Sequence, residues 1–159
     1  MVNMSSGDEG DIDLRSFAAR LRRMTAEFNR IAHEFANEQG LHTTDVQALI
    51  IIFDAPSPIT PGRLREELNL TSGAVTACLD RLERAGHIRR ARDAHDRRVV
   101  HLHYRDAAKE LAAAFFRPLG RSTDRALSRF GPDELRTVAG FLDAMNEELG
   151  ALRSSPGSS

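Results

Sequence analysis

The chain has 159 residues, 41% of them apolar and 28% charged, and a formal net charge of −1. This length favours one domain that buries about two-thirds of its unfolded surface, and the composition excludes disorder throughout. A near-neutral total does not by itself mark a nucleic-acid binder; what counts is where the charge sits. Cys78 is the only cysteine, which excludes an internal disulfide and a cysteine-based metal cluster and fits a reducing compartment. No apolar run reaches the length of a membrane span. The opening "MVNMSSGDEGDID" is polar and acidic, unlike a secretory or mitochondrial signal. The expected location is the cytoplasm, on the nucleoid, with no membrane partner. The 21 arginines against the single Lys109 are ascribed to the coding genome and carry no functional weight.

Residues 1–11, rich in Ser, Gly and acids with almost nothing to bury, read as disordered, and "SSPGSS" at 154–159 reads as a loose tail. Between them lies one expected domain, 12–153. Its first helix should span 12–38. Leu14, Leu21, Phe28 and Phe35 recur every seven residues, with Phe17, Met24 and Ile31 at the second seam position. Two apolar positions per heptad suit both a core helix and a helix-pairing seam. Gly40 ends this helix. Thr44 and Gln47 read as a capping box for a second helix carrying Val46, Leu49, Ile50 and Phe53, which "APSP" at 55–58 stops. Thr60 then caps a short third helix, with Pro61 in the first position, where a missing N–H costs nothing.

After the turn "NLT" at 69–71, Thr71 caps a fourth helix in which Val75, Cys78, Leu79 and Leu82 form a buried stripe. Gly86 is its stop. Its other face carries Ser72, Gly73, Thr76, Ala77, Asp80, Arg81 and Arg84. From Ile88 the period changes. Val100, Leu102 and Tyr104 alternate with His101 and His103, and "ARDAHDRR" is the tip of a hairpin. A helix over 106–130 follows, kinked or split at Pro118. A last helix begins at Pro132, where Leu135, Val138, Leu142, Met145, Leu149 and Leu152 make another heptad seam.

Positive charge collects in one stretch. Residues 71–100 hold seven arginines (Arg81, Arg84, Arg89, Arg90, Arg92, Arg97, Arg98) against Asp80, Glu83, Asp93 and Asp96, a local excess of +3. These residues fall on the two surfaces that a helix–turn–helix with a charged wing would present to a duplex. A helix with Gly73, Ala77, Ser72 and Thr76 outward is slim enough to approach base edges, and Arg81 and Arg84 reach phosphates or guanine. Arg97 and Arg98 at the tip suit a narrow, negative minor groove. Asp96 between them and the strand is assigned to holding an arginine in place.

The segment "LREELNLTSGAVTACLDRLERAGHIRR...DAHDRRVVHLHY" resembles the winged helix–turn–helix of MarR-type transcriptional regulators, over about residues 12–152. The specific element is Asp-x-Arg in the wing, here Asp96 and Arg98. The fold this implies is mainly α with a small β-hairpin wing. The DNA-binding part (42–104) would be flanked by dimerisation helices at 12–38 and 106–152, with Leu14, Phe17, Leu21, Leu142, Met145 and Leu149 at the dimer seam. The resemblance implies a homodimer on a pseudo-palindromic double-stranded operator, most often a ligand-responsive repressor. Its candidate DNA contacts are Thr60, Thr71, Ser72, Gly73, Thr76, Ala77, Arg81, Arg84, Asp96, Arg97 and Arg98. Arg98 would enter the minor groove, and Asp96 would orient the wing and the recognition helix. Two departures stand out: Ala77 where many relatives carry arginine, and Tyr104–Ala108 in place of Leu-Thr-x-x-Gly, which leaves Asp106 to cap the next helix.

The resemblance also implies a switch, commonly a small phenolic or lipophilic anionic effector, for which no pocket residue is named. A redox route is disfavoured because Cys78 lies on the buried stripe. A metal route would need more than His95, His101 and His103, so no metal and no cofactor are expected. His33 and His42 at the end of the first helix are equally well read as polar helix-end residues. No catalytic motif occurs, so the chain is not expected to be an enzyme. The alternatives are a redox- or metal-responsive regulator of the same fold, or a winged-helix protein-interaction module without DNA binding.

Overall fold

A computed structural model describes residues 13–154, so the tails expected at 1–11 and 154–159 lie outside the described residues apart from Ser154, which ends the last helix. Eight elements follow in order: α1 (Leu14–Gln39), α2 (Thr43–Asp54), α3 (Pro61–Leu68), α4 (Ser72–Arg84), β1 (Ile88–Arg92), β2 (Val100–Tyr104), α5 (Asp106–Leu127) and α6 (Pro132–Ser154). The described residues are mainly α with a β-hairpin wing, as expected. They divide into two compact units, with the boundary after Leu111, inside α5.

Within the first unit, α1 starts at the Asp13 cap, whose carboxylate accepts the Ser16 N–H at 2.7 Å. It stops at Gly40 in the left-handed region, and the Leu41 N–H closes on the Ala36 carbonyl. The cap of α2 differs from the Thr44/Gln47 box. His42 is the N-cap, and the Asp45 carboxylate three positions on accepts the His42 N–H at 2.9 Å. An acid at the third position satisfies an orphan donor and lies at the positive end of the helix. The four apolar residues named on this helix divide between two faces. Ile50 and Phe53 are 47% and 61% exposed, while Val46, Ala48, Leu49 and Ile52 are buried, so α2 is apolar on both faces and the chain covers one. Phe53 packs edge-on against Tyr104.

Thr60 and Thr71 cap α3 and α4 as expected, each oxygen accepting an N–H at 3.2 Å. Between these helices the chain reverses at Asn69, a non-glycine residue with φ 51°. Asparagine tolerates that conformation better than most side chains. Gly86 (φ 80°) ends α4, and the His87 N–H returns to the Leu82 carbonyl at 2.9 Å. β1 and β2 pair antiparallel in the register Ile88↔Tyr104, Arg90↔Leu102, Arg92↔Val100. Sequence pattern alone missed one tie. The Leu102 N–H donates to the Ile59 carbonyl at 2.8 Å, fastening the hairpin to the segment before α3. Phe35, Val46, Leu64, Val75, Leu79, Leu82, Ile88 and Leu102 form one core beneath α4 and the wing.

In the second unit, α5 runs unbroken through Pro118 and ends at Leu127 rather than 130. α6 opens on Pro132, with Glu134 accepting the Gly131 N–H at 2.7 Å. No residue from 112 to 152 is buried. The α6 seam residues Val138, Leu142 and Leu149 face solvent.

His87 sits in the core of the first unit against Phe35, and its Nδ1 has no hydrogen-bond partner. Burial pushes this imidazole below its ordinary value of 6.5. The unfolded chain therefore takes up a proton near pH 6.5 that the folded chain resists. Stability should hold above that pH and fall below it. His103, also held down, adds to the same slope. In urea unfolding between pH 7.5 and 5, His87→Leu is expected to flatten the decline. An unchanged slope would move its origin away from His87.

Candidate nucleic-acid interface

α4 is held by Val75, Cys78, Leu79 and Leu82, all buried. This leaves Ser72, Gly73, Thr76 and Ala77 exposed on the opposite side. A side chain at Gly73 would meet nothing within 4 Å. Internal packing thus does not require this glycine; its effect is to keep the outer surface low. Among the hydroxyls of this face, Thr76 donates to the Ser72 carbonyl at 2.9 Å, and Ser72 Oγ accepts from Arg65 at 3.2 Å. Thr60 and Thr71 are spent on their caps.

The arginines divide by what they touch. Arg81 forks onto Asp45, Nε to Oδ2 at 2.9 Å and Nη2 to Oδ1 at 2.7 Å. The Asp45 side chain is fully buried. Burial by itself would raise its pKa. The Arg81 fork, the His42 N–H and the Cys78 thiol outweigh that and hold the carboxyl below the usual range. Two of Arg81's nitrogens are thereby committed inside the protein, so Arg81 is chiefly a positioning residue of α4. Arg90 bridges Asp80 at 2.7 Å and Glu83 at 2.6 Å, and its own N–H donates to Glu83 at 3.2 Å. This clamp fastens β1 to the outer edge of α4. Arg84, Arg97 and Arg98 are exposed and make no ion pair among the described residues.

Asp96 is engaged locally. Its carboxylate accepts the Arg98 backbone N–H at 3.0 Å, a turn within the tip. Asp93 completes that turn by accepting the His95 and Asp96 N–H groups at 2.7 and 2.9 Å. These bonds hold the Asp93 carboxyl below the usual range. His101 lies 3.1 Å from Asp93 and 3.2 Å from the Pro58 carbonyl. His101, one of the three histidines of the metal alternative, is thus taken up in securing the wing. Among the described residues, no cluster of three or more His, Cys, Asp or Glu side chains is placed to hold a metal ion. Burial, and then the Asp45 carboxylate, push the Cys78 thiol up to about 12, which removes the thiolate a redox sensor needs.

Sequence reading thus found the exposed face and missed the three residues that set its geometry: Asp45, Arg90 and Asp93. Asp45 had a signal, an acid three residues after a possible cap. Arg90 had none, because its partners lie seven and ten residues away across a turn of unknown register; Asp93 had only the local Asp-x-His-Asp turn pattern, while its third partner, His101, lies eight residues on across the hairpin.

The sequence model of the MarR family matches residues 39–99. An uncharacterized HTH-type transcriptional regulator of Bacillus subtilis (strain 168), YcgE, is 34% identical over 146 residues, covering 89% of this chain and 94% of its own length. The chain belongs to the MarR family. Solved structures agree with this. A MepR mutant from a multidrug-resistant S. aureus clinical isolate superposes with a TM-score of 0.71 at 19% identity, over 84% of this chain and 96% of that one, a likeness of fold. Streptococcus pneumoniae FabT, solved in complex with DNA, superposes with a TM-score of 0.59 at 27% identity, over 86% of this chain and 99% of that one. As a MarR-family protein the chain is a winged helix–turn–helix transcriptional regulator, not an enzyme. Among its described residues no helix is long and apolar enough to cross a membrane.

In this MarR-family regulator, Arg81→Leu leaves the Asp45 carboxylate buried without its partner. The expected loss is about 3 kcal/mol of unfolding free energy. Adding Asp45→Asn, which removes the buried charge and keeps an oxygen for the His42 N–H, should restore part of it. Denaturant unfolding of the two single variants and the double variant measures the coupling. A coupling near zero would show that the pair does not hold α4.

Proposed function

We propose that the regulator binds a pseudo-palindromic double-stranded operator as a homodimer, with α4 in the major groove and the wing in the flanking minor groove. The observation that carries the reading is the division of the arginines. The chain's own carboxylates engage Arg81 and Arg90, while Arg84, Arg97 and Arg98 are left to solvent on the outer side of α4 and the tip of the wing. Phosphate contacts from these groups supply salt-dependent affinity and register, and the Ser72–Ala77 face reads bases. Thr60 and Thr71 act by fixing helix ends, and Asp96 by shaping the tip that presents Arg97 and Arg98. FabT, a relative in fold with a DNA-bound structure, supports the same mode here.

The dimer proposal rests on uncovered apolar surface. Leu14 is 87% exposed in the single chain, and Leu142 and Leu149 on α6 are 42% and 52% exposed. Phe17, Leu21 and Met145 are half-buried. Leucines in heptad register are stabilised by covering them, at about 25 cal/mol per Å² of apolar area. A second copy presents the same seam. We further take 12–153 as one functional domain and the activity as that of a repressor released by a small phenolic or lipophilic anion, both on the family resemblance.

Two outcomes test this reading. In fluorescence anisotropy with duplex from the gene's own upstream region, Arg98→Ala should weaken binding by about 1–3 kcal/mol per half-site contact. Unchanged affinity at moderate salt would remove Arg98 from the interface. The double variant Leu142→Asp/Leu149→Asp should sediment as a monomer and lose at least a hundredfold in operator affinity. A dimer in sedimentation would place the seam elsewhere.

A further inference from the structure

A second concentration of positive charge lies away from the reading face. In the hairpin, Ile88, Arg90 and Leu102 share the face turned to α4 and the core, so the cross-strand pair Arg89 and His103 projects from the other face. That face and the first turn of α5 border an open cleft of about 530 Å³, lined chiefly by Arg89, His103, Tyr104, Arg105, Asp106 and Lys109. Its one acid, Asp106, is already paired with Lys109 at 3.2 Å. Neither Arg89 nor Arg105 has an ion pair among the described residues. Burial, and then the charge of Arg89, hold the His103 imidazole below its ordinary range. The positive charge in this corner is therefore not neutralised from within.

The cleft is carried on fixed structure. The Arg105 N–H donates to the His87 carbonyl at 2.9 Å, and Ala108 is buried one turn into α5. Charged walls suit neither a phenol nor another lipophilic anion. Two guanidinium forks and an ammonium match a compact group with several anionic oxygens, and the first-turn N–H groups of α5 add donors without helical partners.

We propose that the root of the wing binds a phosphate-class anion, held between Arg89 on β1 and Arg105 at the start of α5, with Lys109 beside them. Such an anion ties the wing to α5 and stiffens the wing's base. The phosphate comes either from a free phosphorylated small molecule or from the backbone of a bound duplex. The free-ligand form does not depend on how α4 reads DNA.

The test uses the full chain and pyrophosphate at constant ionic strength, followed by titration calorimetry, with duplex anisotropy across a salt series as a second arm. Arg89→Gln and Arg105→Gln change exposed side chains, and a thermal melt confirms that each folds. Saturable pyrophosphate binding, at least tenfold weaker in each variant with duplex affinity unchanged, establishes a free-anion site. No pyrophosphate binding, but a duplex salt slope reduced by about one in each variant, assigns the site to a backbone phosphate. The proposal is overturned if neither measurement responds. It is overturned equally if Arg20→Gln on α1 weakens pyrophosphate binding as much, since that marks diffuse attraction.

Discussion

The first compact unit depends on one buried carboxylate. Asp45 closes the first turn of α2 through the His42 N–H and at the same time receives the fork of Arg81 from the far end of α4. A fork on a carboxylate constrains direction as well as distance. The apolar stripe from Val75 to Leu82 decides which face of α4 points inward. The fork fixes how far α4 is rotated and slid along its axis. Unpaired, Asp45 would be a charge without solvent, which the fold cannot tolerate cheaply. The energetic weight of the pair thus lies mainly in what its loss would leave behind.

The wing repeats this logic with more exposed partners. Arg90 ties β1 to Asp80 and Glu83 on α4, Ile59 pairs with Leu102, and Asp93 gathers two N–H groups at the tip and meets His101. Each exposed pair contributes little stability alone. Together they make helix and wing a single piece, so the outward arginines keep a set spacing. This accounts for the +3 excess of residues 71–100. Arg81 and Arg90 are held by carboxylates, Arg89 lies at the cleft beside α5, and Arg84, Arg92, Arg97 and Arg98 are exposed without an ion pair among the described residues.

Periodicity and capping made much of this visible in advance. The stripe of α4, the Thr60 and Thr71 caps, the Gly86 stop and the period-two strands depend only on neighbours within a few residues, and all are found in the fold. The cap of α2 was misplaced because Thr44 is a better intrinsic cap than His42, and only the distant Arg81 tips the balance toward Asp45. Which of the two apolar faces of α2 is covered is not legible in a short helix that carries Val46, Leu49, Ile50 and Phe53. The arginines could be counted but not sorted: whether a guanidinium meets solvent or a carboxylate depends on contacts 7 to 36 residues apart.

The two units differ in how far they complete themselves. The first has a closed core from Phe35 to Leu102, whereas no residue from 112 to 152 is buried and the α6 leucines stand in water. Isolated helices with an uncovered apolar seam are marginal, because their stability in proteins comes mostly from packing. In the proposed dimer, then, the part that sets the separation of two recognition helices is the part least able to hold its own shape. A ligand needs only a few kcal/mol of differential affinity to shift such an equilibrium. The rigid coupling from Asp45 through Arg81 and Arg90 would let the exposed arginines of the first unit move with α4 as one piece, without deforming the surface that bears them. Regulation of the proposed dimer in this way would act on spacing and leave recognition intact.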